Sequence, residues 1–377
     1  MISDSIKAGE RFGDFVLVKR IGSGGNGQVW RASGPNGDIA LKLLTKIKPI
    51  AYARFKDEVM VMSTCGVVGV VPILASNLPS DINDSRPWYA MPLGIPLFEH
   101  LEETRLAEVV ANVAQIAESL AALHSRGVSH RDIKEANLLF LDGRAHIGDF
   151  GLVDFPEKVD LTQPEEELGP RFTMAPEAWR LGNRAKPLPA DVYSLAKTLW
   201  ILVSRNRKGF DGQYSPMSSV AIAQFAKGEF ITPIDQLLFD ATAHNPKDRP
   251  TMQQFAARLN EWLRINETFL ERCRLEWIDV QRKLFPVLAP CRATWTSLND
   301  IVTVLNLIGE RSNMNHLFFP SGGGLDLTGA RLSTREVGCI ELLTDGYVSI
   351  LRPKSLQFES FGYDYEWDYF RLEASEL

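Results

Sequence analysis

Apolar and polar residues alternate from Phe15 to Arg20 and again from Gln28 to Ala32, the period-two pattern of half-buried strands. The turn residues Pro35-Asn36-Gly37 then introduce a third strand-like stretch, Asp38 to Leu44. The period changes over Ala51 to Thr64, where Phe55, Val59 and Met62 recur at helical spacing. Val67 to Leu74 and Trp88 to Leu93 predict two further strands, joined by a polar loop with Pro79 and Asp84. Leu106 to Ser125 carries alanine, leucine and valine at helical spacing and predicts a long buried helix. Strands therefore dominate as far as Leu93, and helices follow. Beyond Arg264 the texture changes again. Helices are predicted over Glu267 to Leu288 and Thr296 to Glu310, then a hairpin in which Cys339 to Leu343 and Tyr347 to Leu351 flank Thr344-Asp345-Gly346. Leu356 to Ser360 and Trp367 to Leu372 read as further strands, whereas Gly322 to Gly324 lacks a strand–helix frame and reads as a loop hinge.

The bulk properties narrow the class. A chain of 377 residues fits two domains, or one bilobal unit with an extension. With 45% hydrophobic and 23% charged residues it has the material for a sizeable core. A net charge of −6 argues against a general nucleic-acid binder, which needs surplus lysine and arginine. Cys65, Cys273, Cys291 and Cys339 form no C-x-x-C pair, which speaks against a zinc site or disulfide framework and for a reducing compartment. Met1 to Glu10 has no apolar signal core, and no run approaches the roughly 18 apolar residues of a membrane span. The expectation is a soluble cytoplasmic protein.

Candidate chemistry concentrates on His130-Arg-Asp-Ile-Lys-Glu-Ala-Asn-Leu-Leu-Phe140, which places a carboxylate, an ammonium and an amide (Asp132, Lys134, Asn137) on one short loop. That trio suits phosphoryl transfer: the carboxylate accepts a proton from an attacking hydroxyl, the ammonium neutralises a moving phosphoryl, and the amide oxygen holds Mg²⁺. Gly22, Gly24 and Gly27, followed by Val29, spell G-x-G-x-x-G-x-V between two strand-like segments. This frame suits a hairpin lid over a polyphosphate, or a Gly-rich surface hairpin, and not the strand-to-helix turn of a dinucleotide fingerprint. Lys42 sits among apolar neighbours in a predicted strand, and Glu58 lies on the following predicted helix. Asp149-Phe150-Gly151 comes twelve positions after Asn137, Ala175-Pro176-Glu177 follows, and His244 to Pro250 contains Arg249.

In this order the motifs resemble those of eukaryotic-type Ser/Thr protein kinases over about Phe12 to Leu263. The resemblance implies a bilobal kinase fold over residues 12–264, with a β-rich N-lobe at about 12–92 and an α-helical C-lobe at about 95–264. The whole is α+β, with a small α+β extension at 265–377. It implies an ATP pocket from Ile21, Gly22, Gly24, Gly27, Val29 and Ala40, with Met91 at its back, Leu93 at the hinge and Leu139 as its floor. Lys42, held by Glu58, would position the phosphates. Asp132 and Lys134 would be catalytic, and Asn137 and Asp149 would hold Mg²⁺, or Mn²⁺ in its place. Met62 and Leu74 would join His130 and Phe150 in an internal apolar stack. Asp191 would brace the catalytic loop, and Glu177 would pair with Arg249. The implied partners are proteins presenting Ser or Thr, with the chain itself a candidate among them.

Two departures stand out. The usual place of an activating phosphothreonine falls on Glu166, within Pro164-Glu165-Glu166-Glu167-Leu168, so a glutamate there is expected to supply the negative charge to Arg131. The segment's hydroxyl residues are Thr162 and Thr173. Gly169 is followed by Pro170-Arg171-Phe172-Thr173, so the threonine that normally contacts the catalytic aspartate is missing or displaced to Thr173. Other classes remain: an ATP-binding pseudokinase scaffold, and a small-molecule kinase. For the extension the readings are a docking module for a partner or a brace on the kinase, with the aromatic-rich stretch Phe358 to Phe370 packed inside or facing that partner.

Overall fold

The computed structural model describes residues 6–24, 27–155, 172–181, 187–226, 228–309, 311, 327–344, 346–360 and 368–376. The chain divides into two compact units, one of Met1–Ile222 with Ile234–Glu261, the other of Ala223–Pro233 with Trp262–Leu377.

In the first unit β1 (Arg11–Phe12), β2 (Phe15–Ser23), β3 (Gly27–Gly34), β4 (Gly37–Leu44), β5 (Ala75–Asn77) and β6 (Trp88–Pro92) form one sheet in the order β1-β2-β3-β4-β6-β5. Leu17, Trp30, Ala32, Leu41, Leu43, Trp88 and Ala90 are buried together on this sheet. The alternation along β4 therefore turns Leu41 and Leu43 one way and Lys42 the other. α1 (Pro49–Thr64) follows β4 with a proline in its first turn, where a missing N–H costs nothing.

One expected strand is absent. Val67 to Leu74 is not a ladder, because Gly69 takes a positive φ of 90° and Pro72 has no N–H to give. Val71 instead donates to Ile147 O at 3.0 Å, and Ile147 donates to Gly69 O at 2.8 Å. Leu74 is 53% exposed, so it does not join the apolar stack, whereas Met62 does lie in the core.

A helical lobe follows. β7 (Ile95–Pro96) and the short α2 (Leu97–His100) lead to α3 (Leu106–His124), which has the length and hydropathy to cross a membrane. Here its apolar residues Val110, Val113, Ile116, Ala117, Leu120 and Leu123 are spent inside the lobe. The hairpin β8 (Leu138–Leu141) and β9 (Arg144–Ile147) pairs with β7. α4 (Pro176–Leu181), α5 (Pro187–Ser204), α6 (Thr232–Ala241) and α7 (Met252–Glu267) complete the lobe, and the boundary between units falls within α6 and α7.

The second unit is α+β. α8 (Phe269–Leu284) and α9 (Leu298–Gly309) accompany a five-stranded antiparallel sheet of β10 (Arg292–Trp295), β11 (Leu327–Leu332), β12 (Ile340–Thr344), β13 (Tyr347–Glu359) and β14 (Tyr369–Glu376). β13 is its spine: β12 and β10 share one edge in succession and β14 covers the other. Leu356 to Ser360 is thus no separate strand. The register shift between Pro353 and Ser355 absorbs the proline without ending the strand. The predicted helix over Glu267 to Leu288 starts after Thr268 and stops before Pro286. Phe358 and Phe370 are fully buried against each other and Trp277, with Phe285 and Trp295 beside them, so these aromatics pack inside. Gly322 to Gly324 lies outside the described residues. All four cysteines are free of disulfides.

Candidate active site

Lys42 faces the cleft because Leu41 and Leu43 claim the sheet core. Its Nζ donates to Glu58 Oε1 at 2.7 Å and to Asp149 Oδ1 at 2.9 Å, joining β4, α1 and the Asp-Phe-Gly turn. Glu58 is 2% exposed, and the same Oε1 also accepts the Tyr89 hydroxyl at 2.8 Å. Burial alone would pull the Lys42 ammonium down, yet the carboxylates of Asp149 and Glu58 hold it well above its ordinary value. Lys42 in turn holds the Asp149 carboxyl down at about 2, against the effect of burial. Burial pushes Glu58 up, with Lys42 and the Tyr89 hydrogen bond pulling the other way. The network therefore keeps opposite charges together, with Glu58 buried, Lys42 nearly so and Asp149 half open to solvent.

The glycine hairpin stands over this network. Gly22 pairs with Val29, and Val29 pairs with Lys42 across β3 and β4. A Cβ at Gly27 would sit 2.9 Å from Leu43 O, a backbone atom that cannot yield, so this position requires glycine. Ala40 lies opposite Met91, and Leu139 lies opposite Pro96 just past the hinge. Gly94 lets the hinge lie on the hairpin floor, since a Cβ there would meet Leu141 Cδ2 at 2.7 Å and Leu139 Cβ at 3.1 Å. Ile21 is 50% and Leu93 38% exposed, two apolar side chains open to the cleft side of the pocket. Gly24 has open space where a Cβ would stand.

The catalytic loop is pinned from beneath. Asp191, on α5, accepts the His130 N–H and the Arg131 N–H at 2.8 Å each and contacts His124 Nε2 at 2.9 Å. Burial works against the Asp191 charge, but the His124 bond and the loop N–H groups still hold its carboxyl below the usual range. Arg131 is thereby held at a φ of 66°, a left-handed conformation rare for arginine. The next residue, Asp132, receives Lys134 Nζ at 2.9 and 3.1 Å. Asn137 Nδ2 donates to Asp132 O at 2.7 Å and to Asp132 Oδ2 at 3.0 Å, which turns the Asn137 amide oxygen away from Asp132. Leu138 pairs with Ile147, so the hairpin returns the chain to Asp149. Phe150 is fully buried with its ring 4.6 Å from that of His130.

Asn137 and Asp149 thus offer two hard oxygen donors from opposite ends of one hairpin. Among the described residues no group of three His, Cys, Asp or Glu could hold an ion by itself. A pair of oxygens completed by phosphate and water is the partial coordination that Mg²⁺ accepts, and this donor set fits it. Glu177 and Arg249 meet in a bidentate pair at 2.6 and 2.8 Å with the guanidinium fully buried.

Three partners escaped the sequence reading. Tyr89 stands opposite Lys42 in the β4–β6 register, and strand periodicity could have placed it there. His124 meets Asp191 across 67 residues and gives no local signal. Arg131 reaches Asp154 Oδ2 at 3.0 Å, and the Asp154 backbone bridges Ser129 in both directions at 2.9 Å. Thr162 and Glu165 to Glu167 lie outside the described residues. Thr173 donates to Ile133 O at 3.0 Å, so it contacts the backbone beside the aspartate rather than the Asp132 carboxylate.

Comparison with known proteins agrees with this geometry. The protein kinase domain family matches residues 15–260. The DNA damage-responsive serine/threonine-protein kinase RqkA of Deinococcus radiodurans is 34% identical over 199 residues, covering 50% of this chain and 29% of the relative. The serine/threonine-protein kinase PknE of Mycobacterium tuberculosis is 29% identical over 261 residues, covering 64% and 45%. A mimivirus protein named as a putative serine/threonine-protein kinase/receptor, R826, is 27% identical over 268 residues, covering 66% and 16%. This chain therefore spans less than half the length of each of these relatives. The crystal structure of the Mycobacterium tuberculosis PknI kinase domain superposes with a TM-score of 0.50 at 25% identity, over 68% of this chain and all of that one.

Proposed function

The chain belongs to the eukaryotic-type Ser/Thr protein kinase family, and from that membership we propose that it transfers the γ-phosphoryl group of ATP to Ser or Thr hydroxyls of proteins. One observation carries the reading. The Asp132 carboxylate is held jointly by Lys134 and Asn137, and Lys134 also acts electrostatically on Asp149, which Lys42 and Glu58 anchor. These are the groups that a hydroxyl nucleophile and a polyphosphate require, on two elements brought to one place.

In this reading Asp132 orients the substrate hydroxyl and accepts its proton. Lys134 lies against that carboxylate and stays beside the oxygen that attacks. The Asn137 and Asp149 oxygens hold Mg²⁺, which when bound neutralises charge on the phosphates. Lys42, fixed by Glu58 and Tyr89, positions the phosphate chain. The glycine hairpin covers it, and Met91, Leu93 and Leu139 enclose the base. Arg131, tied to Asp191 through its backbone and Asp154 through its side chain, fixes the chain at the position just before Asp132.

The test is incubation of the full chain with Mg²⁺ and labelled ATP. Label on serine or threonine, of the chain itself or of a generic protein substrate, is expected and should vanish in Asp132→Asn. Persistent transfer in that variant, or none in the unaltered chain, would sink the reading.

A further inference from the structure

The segment leaving α5, Ser204-Arg205-Asn206-Arg207-Lys208-Gly209, packs three cations into four residues of a chain whose net charge is −6. Two of them converge on one ring. The guanidinium carbon of Arg205 lies 3.7 Å from the Phe98 ring centroid, and that of Arg207 lies 4.3 Å from it. Several other arginines of this molecule sit on carboxylates, as with Arg31 and Asp38, Arg249 and Glu177, or Arg258 and Asp240. Among the described residues Arg205 and Arg207 have no such pair, and Glu99 on α2 serves neither.

Three features distinguish this patch from an ordinary solvated face. Two guanidiniums on one ring repel each other, so the arrangement gains most when an anion lies between or beside them. Stacking uses the flat face of a guanidinium and leaves edge N–H donors unused, groups that can grip carboxylate or phosphate oxygens. Arg205 Nη1 is buried and has no hydrogen-bond partner, a costly state for a charged donor. Arg205 also adopts a φ of 59° directly after α5, the left-handed helix-ending position that glycine usually fills. The turn behind it is tight: Asn206 Oδ1 accepts the Lys208 N–H, and Asn206 O accepts the Gly209 N–H.

The position of the ring supplies the occupant. Phe98 belongs to α2, which packs against the short helical turn Glu135–Asn137 of the catalytic loop. His100, two residues on, stacks on Phe140 at 3.5 Å between centroids, at the end of the same loop. The ring that carries the two guanidiniums therefore sits on an element packed directly against the loop of Asp132.

We propose that Arg205 and Arg207, presented by Phe98, form a docking site for an acidic stretch of the protein substrate, so that the enzyme favours Ser or Thr with carboxylates several residues away. The proposal rests on the phosphoryl-transfer reading above. An extended peptide covers about 3.3 Å per residue, so acidic residues roughly three to eight positions from the acceptor reach about 10–26 Å from it.

The decisive experiment measures kcat/KM of the full chain on serine peptides in which one aspartate is moved position by position, against an all-alanine flank. One or two positions are expected to raise kcat/KM about tenfold, through KM rather than kcat. In the double variant Arg205→Ala/Arg207→Ala the acidic-to-neutral ratio should fall to about one. Arg207 is exposed, so Arg207→Glu tests the charge without disturbing the core and should shift the preference toward lysine at the same position. Equal rates on acidic and neutral peptides by the unaltered chain would overturn the docking site while leaving phosphoryl transfer intact. If no peptide and no autophosphorylation is seen, the transfer reading fails. Binding of a fluorescent aspartate-rich peptide to the unaltered chain and to Arg207→Glu then still decides the patch. Loss of that binding in the variant supports it and equal binding removes it. A patch that captures polynucleotide but discriminates no peptide would also overturn it.

Discussion

The molecule buries two lysines in opposite ways. Lys42, in the cleft, sits between the carboxylates of Glu58 and Asp149 and is held well above its ordinary pKa. Lys197, in the middle of α5 and 1% exposed, meets no carboxylate by hydrogen bond. It donates to Phe210 O and Gly212 O at 2.7 Å each and lies 3.3 Å from the Phe210 ring centroid. Burial pulls it down to about 7, with Asp211 pulling back only in part. Two carbonyls and the two N–H bonds of a neutral amine match in number, so Lys197 satisfies its hydrogen bonds without needing its charge. Carboxylates preserve a charge for chemistry, and carbonyls turn the same side chain into a structural strut.

The comparison breaks most sharply at Lys42. Lys42→Met should reduce phosphoryl transfer by about a thousandfold or more while leaving the circular dichroism spectrum and fold unchanged, because it removes a preorganised charge from the phosphate site. Turnover within tenfold of the unaltered chain would show that the charged lysine is dispensable.

Lys197 sharpens the contrast through pH. In the unfolded chain its amine stays protonated up to about 10.5, whereas in the folded chain it loses the proton near 7. Between those values the unfolded chain holds the extra proton, so folded stability rises with pH from about 7 toward 10.5 and is flat below 7. Lys42 behaves oppositely. Its contribution is fully present below 10.5 and fades as pH rises from there through its raised folded value, while that of Asp149 is lost only as pH falls from 3.8 through about 2. Lys197→Met orphans the Phe210 carbonyl at a cost of about 1–3 kcal/mol. The melting-temperature gap between it and the unaltered chain should widen from pH 7 to pH 9. A gap independent of pH would mean that Lys197 does not change its protonation on folding.

The smallest effect falls on the bond that sequence reasoning missed. Tyr89→Phe removes one hydrogen bond to Glu58, worth about 1 kcal/mol, and should raise the KM for ATP a few-fold with little change in melting temperature. An equal effect on a Glu58→Gln background would show that the hydroxyl acts elsewhere.

These cases show what was readable beforehand. Lys42 was legible because a charge among apolar neighbours in a strand needs a reason, whereas Glu58, Asp149, Glu177 and Arg249 were legible through motifs whose order resembles a known family. The strand over Val67 to Leu74 was misread because an apolar run says nothing about its partner. Gly69 and Pro72 stop the ladder, and Val71 pairs with Ile147 instead. His124 and Asp154 were invisible because tertiary packing, not local pattern, brings them to Asp191 and Arg131. In the second unit the Thr344-Asp345-Gly346 hairpin was legible from its turn. β10 and β11 were not, since each is a short segment whose burial depends on strands far along the chain.

That second sheet also sets a schedule for synthesis. Trp277 on α8 reaches its hydrogen-bond partner Asp368 only 91 residues later, and Phe370 completes the aromatic cluster around it. At elongation rates of about 5–20 residues per second, the indole and its neighbours wait for roughly 5–20 seconds after leaving the ribosome before their core can close. For that interval the nascent unit carries open aromatic surface and an incomplete sheet edge, while the catalytic half already has all its parts. This half-made domain is the stage at which a chaperone, or aggregation, has the most to hold.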